Sequence, residues 1–173
     1  MYNVSFDDKI IIAQFFLSDR GIINSIRKAA KRGVEFQIIL NNSTAGLPNK
    51  AAAGELMKYA RKHNYKIIVR FYNKGEEMYH VKMLSILRKD YMITYAGSTN
   101  FTRRNLRNYN LENEIKIIST YDQKISKDVL NYYDTLWNNK NGIFTLPYDK
   151  HKNEKILNDL LFRFMEINGF GIF

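Results

Sequence analysis

Two basic side chains, His80 and Lys82, stand two positions apart in the stretch YHVKMLSILRKDYMITYAGSTN, residues 79–100. This stretch is predicted to form a β-hairpin with its turn near residues 88–90. Because side chains alternate across a strand, His80 and Lys82 are expected on one face. The positive charge of Lys82 disfavours protonation of the imidazole. The histidine is then left with a neutral nitrogen that can attack an electrophile, while the ammonium group holds an anion.

A cluster of small and polar residues ends the returning strand of this hairpin. Ser98 offers a hydroxyl group and Asn100 an amide, and both can donate hydrogen bonds. Gly97 lacks a Cβ atom and permits close backbone approach at that point. Together with Lys82, these groups suit the equatorial oxygens of a phosphate.

Strands and helices alternate in the pattern around the hairpin. The sequence predicts an α/β fold with a mixed sheet flanked by helices, in a single domain over residues 1–173 with a helical tail from about 150–173. The predicted strands are residues 9–17, 34–40, 65–72 and 114–118 in addition to the hairpin. The predicted helices are residues 18–33, about 50–63, about 122–138 and about 152–167, with Ser18 or Asp19 as the first N-cap and Gly33 as the first stop.

The composition limits the partners and the compartment. A formal net charge of +10, from 27 Lys and Arg against 17 Asp and Glu, favours anionic partners such as nucleic acid, phospholipid headgroups or phosphate esters. The chain has no cysteine, which excludes disulfides and thiolate metal sites and suits a cytoplasmic location. Its three scattered histidines form no ligand cluster, so no metal or other cofactor is expected. No transmembrane segment is predicted, because no run approaches about 18 apolar residues.

The order His-x-Lys followed by Gly-Ser-x-Asn resembles the signature of the phospholipase D superfamily. The likeness extends to the strand-helix-strand unit IIIAQFFLSDRGIINSIRKAAKRGVEFQIIL, and the segment FTRRNLRNYNLENE is similar to the bacterial cardiolipin-synthase type of this superfamily. The resemblance covers most of the chain and implies a phospholipase D-like fold. The residues that match the signature are His80, Lys82, Gly97, Ser98 and Asn100.

The chemistry that this resemblance implies is a two-step phosphodiester transfer without a metal. His80 is expected to attack phosphorus and form a phosphohistidine. Lys82, Ser98 and Asn100 are expected to stabilise the charge on the phosphate oxygens. Glu112 is expected to bind the other ring nitrogen of His80 and fix its orientation, although an ordinary charge at the start of a strand is the alternative for this residue.

The sequence departs from the family pattern in two ways. The family pattern places an aspartate at position 87, where this chain has Leu87. Asp90 keeps the family spacing to Gly97, so Asp90 is predicted to be the structural, hydrogen-bonding aspartate of a lengthened hairpin. The family also builds its sites from two motifs, whereas this chain has one and resembles the C-terminal half of such a protein. The expected partner is therefore a second copy in a homodimer, or an N-terminal half that bears the second motif.

Three functions remain open at the level of the sequence. The leading hypothesis is a phospholipase D-like phosphodiesterase or phosphatidyl transferase that acts on phospholipids, in the cytoplasm and in part at the membrane surface. The first alternative is a single-motif endonuclease, which the charge of +10 would help to hold on nucleic acid. The second is a catalytically silent fragment that binds anions or a partner. Arg103 and Arg104 either line the phosphate entrance or are solvated.

Overall fold

Seven strands form one mixed sheet in the computed structural model, which describes residues 6–42, 47–73, 77–107 and 109–151. The order of the strands across the sheet is β6-β5-β4-β1-β2-β3-β7. The strands are β1 (Lys9–Gln14), β2 (Glu35–Leu40), β3 (Ile67–Tyr72), β4 (Lys82–Leu87), β5 (Tyr91–Gly97), β6 (Glu114–Thr120) and β7 (Thr145–Pro147). The helices are α1 (Arg20–Lys31), α2 (Leu47–His63), α3 (Arg103–Leu106) and α4 (Lys124–Trp137), followed by a 3-10 helix (Tyr148–His151).

One half of the sheet is a parallel unit of β1, β2 and β3, connected by α1 and α2. Its strands are short apolar runs, as expected for strands that are covered on both faces. Helix α1 begins after Asp19, whose side chain accepts a hydrogen bond from the Ile22 amide at 2.9 Å. It ends before Gly33, which has a φ of 96° that favours glycine.

The other half of the sheet is antiparallel and is attached to β1 through β4. The pairing of β1 with β4 runs from Lys9 opposite Leu87 to Gln14 opposite Lys82. The β4–β5 hairpin and the following strand β6 complete this half. The hairpin turns at residues 88–90, as the sequence predicts.

Strand β1 contributes to the cores on both faces of the sheet. Ile10 and Ile12 pack in a large cluster with α1 and α2, and Ile11 and Ala13 pack in a smaller cluster with Tyr133 and Leu136 of α4. Alternate side chains of one strand therefore hold the two helical layers together.

The structure confirms the predicted fold class, a mixed sheet flanked by helices, and differs from the prediction in detail. Strand β1 ends at Gln14 rather than at residue 17, and β7 and α3 were not predicted. The prediction that His80 and Lys82 share a strand is wrong, because β4 begins at Lys82, opposite the last residue of β1. Among the described residues, no strand pairs with His80, because β1 ends at Gln14. The predicted helix at 152–167 lies outside the described residues.

Gly97 is required by the packing of the sheet itself. A Cβ atom at this position would lie 2.0 Å from the carbonyl oxygen of Asn113 and 2.9 Å from the Cα atom of Glu114. Both are backbone atoms at the start of β6, so they cannot move without moving that strand. The sequence predicts that backbone comes close to Gly97, and the space beside this residue is occupied by backbone atoms of Asn113 and Glu114.

We predict that Gly97→Ala lowers the free energy of unfolding by about 2 kcal/mol or more, because β6 must shift to admit the methyl group. Gly54→Ala is the matched control. Its Cβ atom would meet the flexible end of the Tyr148 side chain at 3.2 Å, and alanine favours the helix. Urea unfolding measures both variants, and equal stabilities would contradict this account of Gly97.

Candidate active site

His80 and Lys82 meet at the ring of Phe15, just beyond the end of β1. The ring centroids of Phe15 and His80 are 4.5 Å apart in an edge-on arrangement. The Lys82 Nζ atom lies 5.0 Å from the Phe15 ring centroid and donates a hydrogen bond to the His80 carbonyl oxygen at 3.3 Å. The two basic side chains therefore converge, as the sequence predicts, although only Lys82 belongs to a strand.

The environment of the pair favours the neutral form of the histidine. The His80 side chain is exposed, yet partial desolvation lowers its pKa below the ordinary value of 6.5, and the positive charge of Lys82 lowers it further. Lys82 is 8% exposed, and burial lowers its pKa, while the negative charge of Glu112 opposes that shift. The site thus favours an uncharged imidazole beside the ammonium group of Lys82, on which the negative charge of Glu112 acts.

Glu112 is held by a hydrogen-bond network with residues that follow β5 and lie on α3. Its two carboxylate oxygens accept hydrogen bonds from the Ser98 hydroxyl and from the Asn105 amide. Ser98 is fixed in turn, because its amide donates to the Asn113 carbonyl oxygen at 2.9 Å and its hydroxyl accepts from the Asn113 amide at 3.0 Å. In this structure Glu112 therefore binds Ser98 and Asn105 instead of the His80 ring, and its expected contact with His80 stays a prediction.

Buried amides behind the site fix the segments that carry it. The Gln14 side chain donates to the Thr99 carbonyl oxygen at 3.3 Å and so connects the end of β1 to the loop that follows β5. Asn49 of α2 accepts from the Leu17 amide at 2.8 Å and donates to the Phe15 carbonyl oxygen at 2.7 Å. Sequence reasoning missed these residues. The one available signal is the polar Gln14 within an apolar run.

The other residues that the sequence predicts for the site are Asn100, Arg103, Arg104 and Asp90, and they lie in different parts of the structure. The Oδ1 atom of Asn100 is buried and has no hydrogen-bond partner among the described residues. Because this oxygen only accepts hydrogen bonds, contact with a phosphate falls to the Nδ2 group, and that contact stays a prediction. Arg103 and Arg104 are exposed on α3, which begins three residues after Asn100. Asp90 is exposed in the hairpin turn, at the other end of β4 and β5 from Lys82. Its carboxylate makes no hydrogen bond with a described residue, and its structural role stays a prediction.

Neither a metal site nor a membrane span is found in the part of the chain that the structure describes. Within these residues, no group of three or more His, Asp or Glu side chains is placed to hold a metal ion. No described helix is long and apolar enough to cross a membrane.

The chain is similar to several known proteins. The family described as "Cardiolipin synthase, PLD-like domain" matches residues 5–137. Nuc, a phospholipase D family member from Salmonella typhimurium, is 21% identical with a TM-score of 0.61, over 75% of this chain and 78% of that chain. Polyphosphate kinase from Porphyromonas gingivalis is 14% identical with a TM-score of 0.60, over 93% of this chain and 24% of that chain. At these identities the structural likeness supports the fold alone. No protein with a curated description matches the chain.

We predict that His80 titrates below pH 6.5 and that Lys82→Met raises this pKa only in part, because desolvation, the larger cause of the shift, remains. The imidazole is neutral above its pKa, so any rate that depends on a neutral His80 rises as the pH increases through that value and then levels off. NMR titration of the imidazole protons measures the pKa, and His80→Asn assigns the signal among three histidines.

Lys89→Met is the control for this titration, since Lys89 is exposed in the hairpin turn at the far end of β4. It should leave the pKa of His80 unchanged. A wild-type His80 that titrates at or above 6.5 would contradict the electrostatic description of the site.

Proposed function

This chain belongs to the phospholipase D superfamily, and on that premise we propose that it is a phosphodiesterase with His80 as its nucleophile. The observation that supports the proposal is the convergence of His80 and Lys82 on Phe15. There the structure combines an imidazole of lowered pKa with a lysine residue that is 8% exposed. A neutral imidazole has a lone pair for attack, and a desolvated ammonium group attracts a phosphate more strongly than a solvated one.

The proposed reaction proceeds in two displacements at phosphorus. In the first, a ring nitrogen of His80 forms a bond to phosphorus while the bond to the leaving alcohol oxygen breaks, and that oxygen takes a proton from a general acid. In the second, water or an acceptor alcohol loses a proton to the same group and attacks phosphorus, which releases His80. Lys82 and Asn100 stabilise the charge on the phosphate oxygens through both steps, and Ser98 joins them when its hydroxyl, which donates to Glu112 in this structure, turns to the substrate.

Two substrate classes fit this chemistry. A phospholipid, the leading hypothesis from the sequence, is supported by the matched family, whose description names cardiolipin synthase. Nucleic acid is supported by Arg103, Arg104 and Arg107, which are exposed on and beside α3, close in sequence to the proposed phosphate-binding residues. Arginines in that position can hold the phosphates that flank the one under attack.

The general acid of this mechanism requires a partner, because the motif supplies a single histidine. A second copy related by a two-fold axis beside His80 would bring its own histidine to the opposite side of the phosphorus atom. The surface beside Glu112 is suited to such a contact, because Tyr109, Leu111 and Ile115 expose large apolar side chains there. We propose a homodimer with this surface at its interface, and a separate N-terminal half with a second motif is the competing partner.

We predict that His80→Asn abolishes phosphodiester cleavage, because asparagine has no nucleophilic ring nitrogen, while His63→Asn retains nearly all activity. EDTA should not inhibit, since side chains supply the charge stabilisation. The assay offers plasmid DNA and radiolabelled phosphatidylglycerol or phosphatidylcholine to the purified protein in parallel.

The products separate the two substrate classes. Nicked DNA without lipid turnover would establish the nuclease, and the reverse result would establish the phospholipase. Cleavage that survives His80→Asn, or that strictly requires a divalent cation, would remove His80 from the proposed role.

We predict a dimer that phosphate or vanadate strengthens, because the two Lys82 ammonium groups near the axis repel each other until an anion lies between them. Leu111→Asp should weaken the dimer by placing a charge in its apolar interface. Ile143→Asp is the control at another exposed large apolar residue, which precedes β7. Sedimentation velocity with and without phosphate measures all three proteins.

A monomer that cleaves phosphodiesters at every concentration would contradict the account with two histidines. An inactive monomer would instead support a chain that needs a different partner.

A further inference from the structure

The positive charge of this protein is concentrated in the layer formed by α1 and α2. Ten of the 27 Lys and Arg residues, but only two of the 17 Asp and Glu residues, lie between Arg20 and Lys66. This segment therefore carries +8 of the formal charge of +10. A concentration of charge of one sign on one part of the surface creates a field that attracts anions.

The two helices present this charge on a shared outer face. Their buried residues pack on the same side of the sheet, in the cluster that contains Ile26 of α1 and Leu56 of α2. The two helices also contact each other through ion pairs, in which Arg20 and Arg27 of α1 both bind Glu55 of α2. Helical geometry then places four exposed lysines on the side away from the sheet, as two pairs spaced three and four residues apart: Lys28 and Lys31 on α1, and Lys58 and Lys62 on α2.

These four lysines are not neutralised within the described part of the chain. No carboxylate of a described residue forms an ion pair with any of them, whereas Arg61 nearby pairs with Asp149. Like charges three or four residues apart on a helix are unfavourable by roughly 0.2–0.5 kcal/mol. The helix dipole offsets this cost for a cation in the last turn but not for Lys58, which lies more than a turn before the end of α2.

The chemistry of this face fits a phosphate backbone better than a membrane. Among the described residues of α1 and α2, no large apolar side chain is exposed. A membrane-surface helix combines cations with apolar side chains that insert among the lipids. Near the end of α1, the ring of Phe6 beside Gly33 is exposed, and a single exposed ring does not make an apolar face. Cations without an inserting apolar face are typical of nonspecific nucleic-acid binding.

This surface lies away from the candidate active site. The beginnings of α1 and α2 are fixed near the site, since the Ser18 and Asp19 amides bind the Phe101 carbonyl oxygen and Asn49 binds Phe15. The four lysines lie in the second halves of both helices, roughly 12–20 Å further along at 1.5 Å per residue. A nucleic acid on this face therefore has no need of His80.

We propose that Lys28, Lys31, Lys58 and Lys62 form a binding surface for the phosphate backbone of nucleic acid, separate from the site of phosphodiester chemistry. The proposal goes beyond the proposed function, because such binding requires neither cleavage nor a particular substrate at His80. Each phosphate contact that releases a counterion contributes about −0.9 to the slope of log affinity against log salt concentration.

The test uses the full-length chain with His80→Asn, so that cleavage does not disturb the binding measurement. A fluorescent duplex DNA of random sequence is titrated over a range of salt concentrations. One variant also carries Lys28→Gln, Lys31→Gln, Lys58→Gln and Lys62→Gln. The matched control carries the same charge change at four exposed lysines elsewhere on the described surface, which are Lys89, Lys116, Lys124 and Lys127. Thermal unfolding checks that both variants are folded.

We expect the helix variant to lose roughly tenfold or more in affinity at low salt and about 3.6 units of salt slope, at about 0.9 for each of four contacts, while the control changes little. Equal losses in the two variants would show a general charge effect and overturn the proposal, as would a parent protein that does not bind duplex DNA. Vesicles with phosphatidylglycerol are the competing ligand. Binding to vesicles but not to DNA through the same four lysines would also overturn it. None of these results depends on whether the wild-type protein cleaves a phosphodiester.

Discussion

The antiparallel pairing of β1 with β4 is the interaction on which the rest of the structure depends. It connects two parts of the sheet. One is the parallel unit, to which α1 and α2 belong, and the other is the hairpin that carries Lys82. A slip of one residue would turn every side chain of β4 to the opposite face. The register is fixed because β1 is buried on both faces, with Ile12 in one core and Ala13 in the other. The position of Lys82 relative to Phe15 is therefore a consequence of core packing.

Desolvation of Lys82 connects this packing to chemistry. A buried lysine, here a residue that is 8% exposed, is costly unless its ammonium group finds partners, and this one has the His80 carbonyl oxygen, the Phe15 ring and the charge of Glu112. These partners compensate for lost water without a direct ion pair from the described residues. A phosphate dianion or diester would supply the stronger partner that the site lacks. The same burial that destabilises the cation thus favours an anionic ligand, and the hydrogen bond to His80 holds the nucleophile beside that ligand.

Much of the fold follows from local patterns, and the site follows from them only in part. Alternation and turn residues are enough to predict the hairpin near residues 88–90, and the apolar runs predict the parallel unit. The departure of His80 from the strand depends on β1 ending at Gln14, which is a property of the partner strand and not of the sequence around His80. Gly97 illustrates the same limit. A glycine predicts a close approach, but only the assembled sheet shows that the approaching atoms belong to Asn113 and Glu114.

The two cationic regions of this protein attract anions by different physics. Lys82 is desolvated, so its interaction with a phosphate is short in range and weakly screened by salt. The lysines on α1 and α2 are exposed, and their field decays over a Debye length of about 8 Å at physiological ionic strength. Association through the helical layer should therefore depend strongly on salt, while the chemical step at His80 should depend on it little. Because the four lysines lie roughly 12–20 Å along their helices from the ends that are fixed near the site, their charge is largely screened there at physiological ionic strength. Each can therefore be altered without changing the electrostatics of the other.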